Sequence, residues 1–154
     1  MLRFPITLLL SILFCMPSLA QTGAPLDEEP SVCETEIDGS SNRVQAIQGL
    51  KLVESGSRLY RDLDTSRPVA FTHSFLFLIS GGGGENLLNS PVFMNSLASN
   101  ILNNCTHIGE VVFGLNQSDW SEVYGKRESG EVFPFKCIEA GEDANPVWGE
   151  FICP

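Results

Sequence analysis

The run Val69-Ala-Phe-Thr-His-Ser-Phe-Leu-Phe-Leu-Ile79, the glycines at 81–84 and the Ser90-Pro91 pair that follows decide how this chain folds. The odd positions Val69, Phe71, His73, Phe75, Phe77 and Ile79 form a nearly continuous apolar face. The even positions begin small or polar and turn apolar at Leu76 and Leu78. That pattern is a β-strand starting near Pro68 whose second half is buried on both sides, as in the interior of a sheet. His73 shares the parity of the phenylalanines and reads as a core or rim histidine with a local hydrogen bond rather than a catalytic base.

Gly81-Gly-Gly-Gly84 lies between a strand and a helix, where a phosphate loop would sit. No Gly-Lys-Ser/Thr follows, and Glu85 would repel an anion, so the run reads as a mobile turn. Ser90 suits an N-cap and Pro91 the first helical position. Phe93, Leu97 and Ile101 then recur every fourth residue beside Met94, Ala98 and Leu102. This predicts an amphipathic helix over 91–103, packed on a sheet. Three short strands follow, at Ile108–Leu115, Trp120–Gly125 and Glu131–Ile138, with turns at 116–118 and 127–130. Pro134 marks the third as an edge strand, because proline cannot donate to a ladder. A last short strand spans Val147–Cys153. Upstream, 33–67 suggests a short helix or irregular segment to about Val53 and a strand near Arg58–Leu63. The expected fold is α+β: an antiparallel β-meander with one helix on a face.

Met1-Leu-Arg3, the apolar run Ile6–Met16 and Ser18-Leu19-Ala20 form a secretory signal over 1–20, with Gln21 expected as the mature N-terminus. The apolar core is too short to span a bilayer, and Phe14 is too bulky for a lipoprotein site at Cys15. Residues 21–32, with Asp27-Glu28-Glu29, read as a flexible acidic tail, which leaves 33–154 as one domain. The formal net charge is −10 over 154 residues. That acidity argues against nucleic acid or anionic membrane as partner, since phosphate binding needs clustered Lys and Arg.

The signal removes Cys15, leaving Cys33, Cys105, Cys137 and Cys153. An even cysteine count in an exported chain reads as disulfides. Zinc on Cys105 and His107 is disfavoured, because no C-x-x-C pair accompanies them. In a meander, Cys105 and Cys137 fall at opposite ends of the sheet, roughly 20 Å apart at the usual strand rise. A disulfide needs Cα atoms about 6 Å apart. That rejects Cys105–Cys137 and leaves two connectivities, of which Cys33–Cys105 with Cys137–Cys153 is preferred because Cys137–Cys153 closes a short local loop. Asn104-Cys-Thr106 and Asn116-Gln-Ser118 match the N-glycosylation pattern.

No nucleophile motif is present, and the cysteines have a structural use. Glu110, Asp119 and Glu122 are the carboxylates from which an acid–base pair could be drawn. They read instead as the solvated face of an acidic protein. The sequence thus points to a non-catalytic secreted or periplasmic binding module, without cofactor or metal. Trp120, Tyr124 and Trp148 are its candidate interaction surface, and a basic protein or surface component is its candidate partner. The alternatives are a small periplasmic or extracellular enzyme using strand carboxylates, and a structural accessory subunit of an envelope assembly.

Overall fold

A computed structural model describes residues 31–60, 66–141 and 144–153. The signal segment, most of the acidic tail with Asp27-Glu28-Glu29, and the end of the strand expected near 58–63 lie outside them. The elements in order are α1 (Val32–Gln45), β1 (Lys51–Leu59), β2 (His73–Ser80), α2 (Gly82–Leu88) and α3 (Pro91–Asn104). They are followed by β3 (Ile108–Leu115), β4 (Ser121–Lys126), β5 (Val132–Pro134), β6 (Lys136–Ile138) and β7 (Glu150–Ile152). The class is α+β. One sheet has the order β1-β2-β3-β4-β5, and β6 pairs β7 in a separate two-stranded ribbon.

Strand order is sequential, as in a meander, but the sheet is mixed rather than wholly antiparallel, because β2 and β3 run parallel. The reason lies in the connection. Helices α2 and α3 carry the chain back along one face before β3 begins, and a helical crossover returns the next strand in the original direction. Phe75, Phe77 and Ile79 from β2 and Val111 and Phe113 from β3 all face the helices and are fully buried. Opposite them, α3 buries Met94, Leu97, Ala98, Ile101 and Leu102, the stripe expected from spacing. Phe77 stacks on Phe113 with centroids 5.3 Å apart, and Phe75 meets Phe77 edge-on at 5.0 Å. Each such side chain contributes about 1.5–3 kcal/mol through burial. Val69, expected on the apolar face of the strand, is 94% exposed. The ladder begins only at His73, because the chain first makes a turn in which Phe71 N–H donates to Pro68 O.

The glycine run is the largest departure from expectation. Instead of a mobile turn, Gly82–Gly84 form the first turn of α2, and Gly83 and Gly84 are buried. The backbone of Gly83 rests on the corner at 47–50 and donates to Gly49 O at 3.1 Å. A Cβ on Gly83 would lie 2.6 Å from both Gln48 O and Leu50 N, so only glycine fits. Tertiary contact here overrides weak helix propensity.

Helix α1 begins at Val32, the last residue of the segment read as tail, and its N-cap Ser31 lies there too. Ser31 caps it in a capping box: Ser31 Oγ accepts from the Glu34 N–H at 3.3 Å, and Glu34 Oε2 accepts from the Ser31 N–H at 2.8 Å. The helix ends at Gln45, and β1 starts at Lys51, so the helix expected to reach Val53 is shorter and the strand starts earlier. Downstream, the strand expected over 131–138 is two strands. Pro134 closes β5 on the free edge of the sheet, and past Phe135 the chain leaves to pair with β7.

The disulfides are Cys33–Cys105 and Cys137–Cys153, with Cα separations of 4.8 and 5.1 Å. The first ties α1 to the C-terminal end of α3 beside the main core, where Cys105 is 1% exposed. The second clasps the β6/β7 ribbon.

Two measurements test this packing. Loop-entropy arithmetic gives ~4 kcal/mol for the 72-residue separation and ~3 kcal/mol for the 16-residue one. Replacing Cys33 and Cys105 by alanine should lower the global unfolding midpoint. Replacing Cys137 and Cys153 should raise hydrogen exchange in the ribbon while β2 and β3 stay protected. Equal loss of protection throughout the chain in the second variant would contradict a locally clasped ribbon. The other test is Gly125→Ala: the added methyl would collide with the Phe135 ring. A destabilisation of about 1–3 kcal/mol is expected by chemical denaturation. Gly39→Ala, in open space on α1, should be neutral or stabilise by up to about 1 kcal/mol.

Candidate functional site

The helix-free face of the sheet carries a second cluster, built of aromatics. The register Leu76↔Val112↔Val123 puts an apolar row across its middle. At one end, glycines let aromatic side chains come close against the strands: Phe71 at Gly109 and Phe135 at Gly125. Trp148 closes this cluster. Its ring stacks on Phe71 at 5.8 Å and meets Phe135 and Tyr60 edge-on at 5.1 and 6.1 Å. Its indole N–H donates to Lys126 O at 3.1 Å, and its backbone N–H donates to Ser66 Oγ at 2.6 Å. The ribbon is thereby pinned to the main sheet.

Where β5 meets the ribbon, the surface is concave. A groove of about 400 Å³ is lined by Phe133, Pro134, Val147 and Trp148, with Arg127, Lys136 and Glu150 around it. Arg127 lies over the Phe133 ring, 4.3 Å from its centroid, and pairs with Glu131 at 3.2 Å. Both contacts hold the guanidinium at the rim. Lys136 is exposed. The site therefore combines an aromatic floor with two cations, on a chain whose net charge is −10.

The candidate aromatics do not form one exposed patch. Tyr124 is 3% exposed, inside the main core, with its hydroxyl donating to Pro91 O at 3.2 Å. Trp120 is half-buried against the same core, its indole N–H donating to Glu122 Oε1 at 3.4 Å. Only Trp148 belongs to the groove. The carboxylates separate as well. Glu110 pairs with Gly125 and Glu122 with Phe113 in the β3–β4 register, so the two project from opposite faces and cannot act on one substrate atom. Asp119 is exposed in the turn before β4. His73 Nδ1 is hydrogen-bonded to Thr72 Oγ1 at 2.8 Å, and its ring meets His107 edge-on at 5.1 Å. Cys33, Cys105, Cys137 and Cys153 are all in disulfides. No cluster of three or more potential metal-ligating His, Cys, Asp or Glu side chains occurs among the described residues, and no helix there is long and apolar enough to cross a membrane. Arg127, Lys136 and Glu150 were not legible as site residues. The one sequence signal is that Phe133 and Phe135 lie between Arg127 and Lys136.

The Tyr124 hydroxyl is held above its ordinary ionisation range, first by burial and then by the neighbouring Glu122 carboxylate. Because the folded value is raised, the stabilising difference is fully present below the unfolded value near 10 and is lost as pH rises through the folded value. Stability should thus be insensitive to this group up to about pH 10 and fall above it. Tyr124→Phe should flatten that fall and remove the later component of phenolate absorbance, at a cost of about 1 kcal/mol at neutral pH from the lost hydrogen bond. An unchanged alkaline limb in the variant would contradict the assignment. No known protein family, curated protein or solved structure matches this chain.

Proposed function

We propose that this chain is a non-catalytic binding module that works outside the cytoplasm and engages its partner through the groove between β5 and the β6/β7 ribbon. Two disulfides are compatible with an extracellular or periplasmic site of action. The observation that carries the reading is the groove itself: an aromatic and apolar floor with two rim cations. Such surfaces anchor partners well, because a flat ring buries area at low entropic cost and a guanidinium adds direction.

The net negative charge steers basic surfaces from a distance. Contact chemistry inside the groove is set locally by Arg127 and Lys136, so the bound segment presents a carboxylate beside an apolar or aromatic group. Glu150 accepts the Val147 N–H at 3.3 Å, which holds the loop that forms one wall.

Photo-crosslinking from the exported protein tests this. A crosslinker at position 136 should capture a discrete partner, whereas one at Asp119, in the turn before β4, should not. Lys136→Glu combined with Arg127→Ala should weaken capture at least about tenfold while the thermal unfolding curve stays in place. Capture that ignores those substitutions would overturn the reading. So would turnover in a substrate screen that Glu110→Gln or Glu122→Gln abolishes in a folded protein.

A further inference from the structure

We infer that β1 is a homodimerisation strand, pairing antiparallel with β1 of a second copy about a two-fold axis at Gly56. The strand is one end of the five-stranded sheet, so its outer edge has no partner among the described elements. It is nine residues long, and most of its side chains are exposed. The Tyr60 N–H donates to Thr72 O on the β2 side. In an antiparallel ladder this turns the polar backbone groups of the even residues inward and those of Ser55, Ser57 and Leu59 outward. An edge of this length attracts another strand.

The sequence specifies which strand. Leu52-Val-Glu-Ser-Gly56-Ser-Arg-Leu-Tyr60 is self-complementary about its centre. Two-fold antiparallel pairing at Gly56 sets Glu54 opposite Arg58 of the second copy, Arg58 opposite Glu54, and Val53 opposite Leu59. Val53 and Leu59 are 44% and 70% exposed, so each has apolar area to bury. A shift of the axis to Ser55 or Ser57 leaves Glu54 and Arg58 without opposite charges and Val53 without an apolar partner. Lys51, Glu54 and Arg58 are residues that guard an edge against indiscriminate pairing, and the bulge at Val53 acts in the same direction. In this one register the guarding charges become attractive, so they select self-association over other strands.

The geometry within one copy supports this placement. Arg58 Nη2 and Glu54 Oε1 already meet at 2.7 Å over Gly56, whose missing side chain leaves the space open. Their Cα atoms are four residues apart on a strand, about 13 Å. Directly opposed residues of two paired strands have Cβ atoms only about 5 Å apart. The second copy thus offers each charge a shorter-reaching partner on the same face. This inference does not depend on the groove described above.

Sedimentation equilibrium of the disulfide-intact secreted protein tests it. The wild type should show a reversible monomer–dimer equilibrium. Glu54→Arg makes positions 54 and 58 both basic, and Arg58→Glu makes both acidic. Each alone should weaken homodimerisation at least about tenfold, while an equimolar mixture of the two should form heterodimers. Neither variant can restore its own internal ion pair, so heterodimer recovery reports pairing between copies. Ser57→Pro removes an outward N–H without touching the β1–β2 ladder and should abolish the dimer in a protein that unfolds at the wild-type temperature. A monomeric wild type, a mixture that stays monomeric, or a dimer unaffected by Ser57→Pro would each overturn the inference.

Discussion

The contact between the Phe75–Phe77–Ile79 row and the Leu97–Ile101 stripe of α3 sets the rest of the molecule. Those three side chains are completely or almost completely buried on one face of β2, and a single strand cannot cover itself. The chain supplies the cover at once, through α2 and α3, and that crossover forces β3 to lie parallel beside β2. Val111 and Phe113 then extend the same face, β4 adds Tyr124, and α1 fills the remaining flank with Val44. Because α1, α2 and α3 all contribute to one core, the opposite face of the sheet has to be finished by other means.

It is finished by aromatics and by a short clasped ribbon. Gly109 and Gly125 have no Cβ, so Phe71 and Phe135 can lie against the strands, and Trp148 bridges them. A single tryptophan thereby joins a ribbon of two three-residue strands to the main sheet, through ring contacts and an indole hydrogen bond to Lys126 O, while its backbone N–H donates to Ser66 Oγ. Strands that short have too little burial of their own to persist. The Cys137–Cys153 bond and Trp148 are what keep the ribbon in place. The groove exists because the ribbon departs from β5 at Pro134 rather than continuing the sheet.

What the sequence disclosed was what spacing encodes locally. The helix stripe at Phe93, Leu97 and Ile101, the strand at 108–115 and the edge role of Pro134 could each be read from a few neighbouring residues, and the cysteine pairing from the order of the strands between them. What it concealed depended on distant contacts. Gly81–Gly84 read as a breaker because glycine weakens an isolated helix, whereas docking against Gly49 holds it helical. Parallel pairing of β2 with β3 follows from the helical crossover between them, and the helix expected over 91–103 was already such a crossover, which the meander expectation passed over. Ser31 and Glu34 did spell a capping box, but the acidic residues before them masked it as tail. The site was less legible than the fold. Tyr124 and Trp148 look alike in sequence, and only the sheet register places one in the core and the other beside a groove.

Position within the sheet links the two candidate surfaces. The groove lies beyond β5 and the self-complementary strand is β1, at the opposite edge of the same five-stranded sheet. Antiparallel pairing at β1 would join two sheets into one continuous ten-stranded layer with a groove at each outer end. Neither groove would be covered, and the two-fold axis would relate them. A partner that repeats its recognition segment, as a polymer or a surface array does, would then meet two sites held at a fixed separation. Its second contact would be governed by an effective concentration rather than the bulk one. Groove chemistry of modest strength could then give durable attachment, which suits a shallow aromatic floor with only two rim cations better than a deep enclosed pocket would.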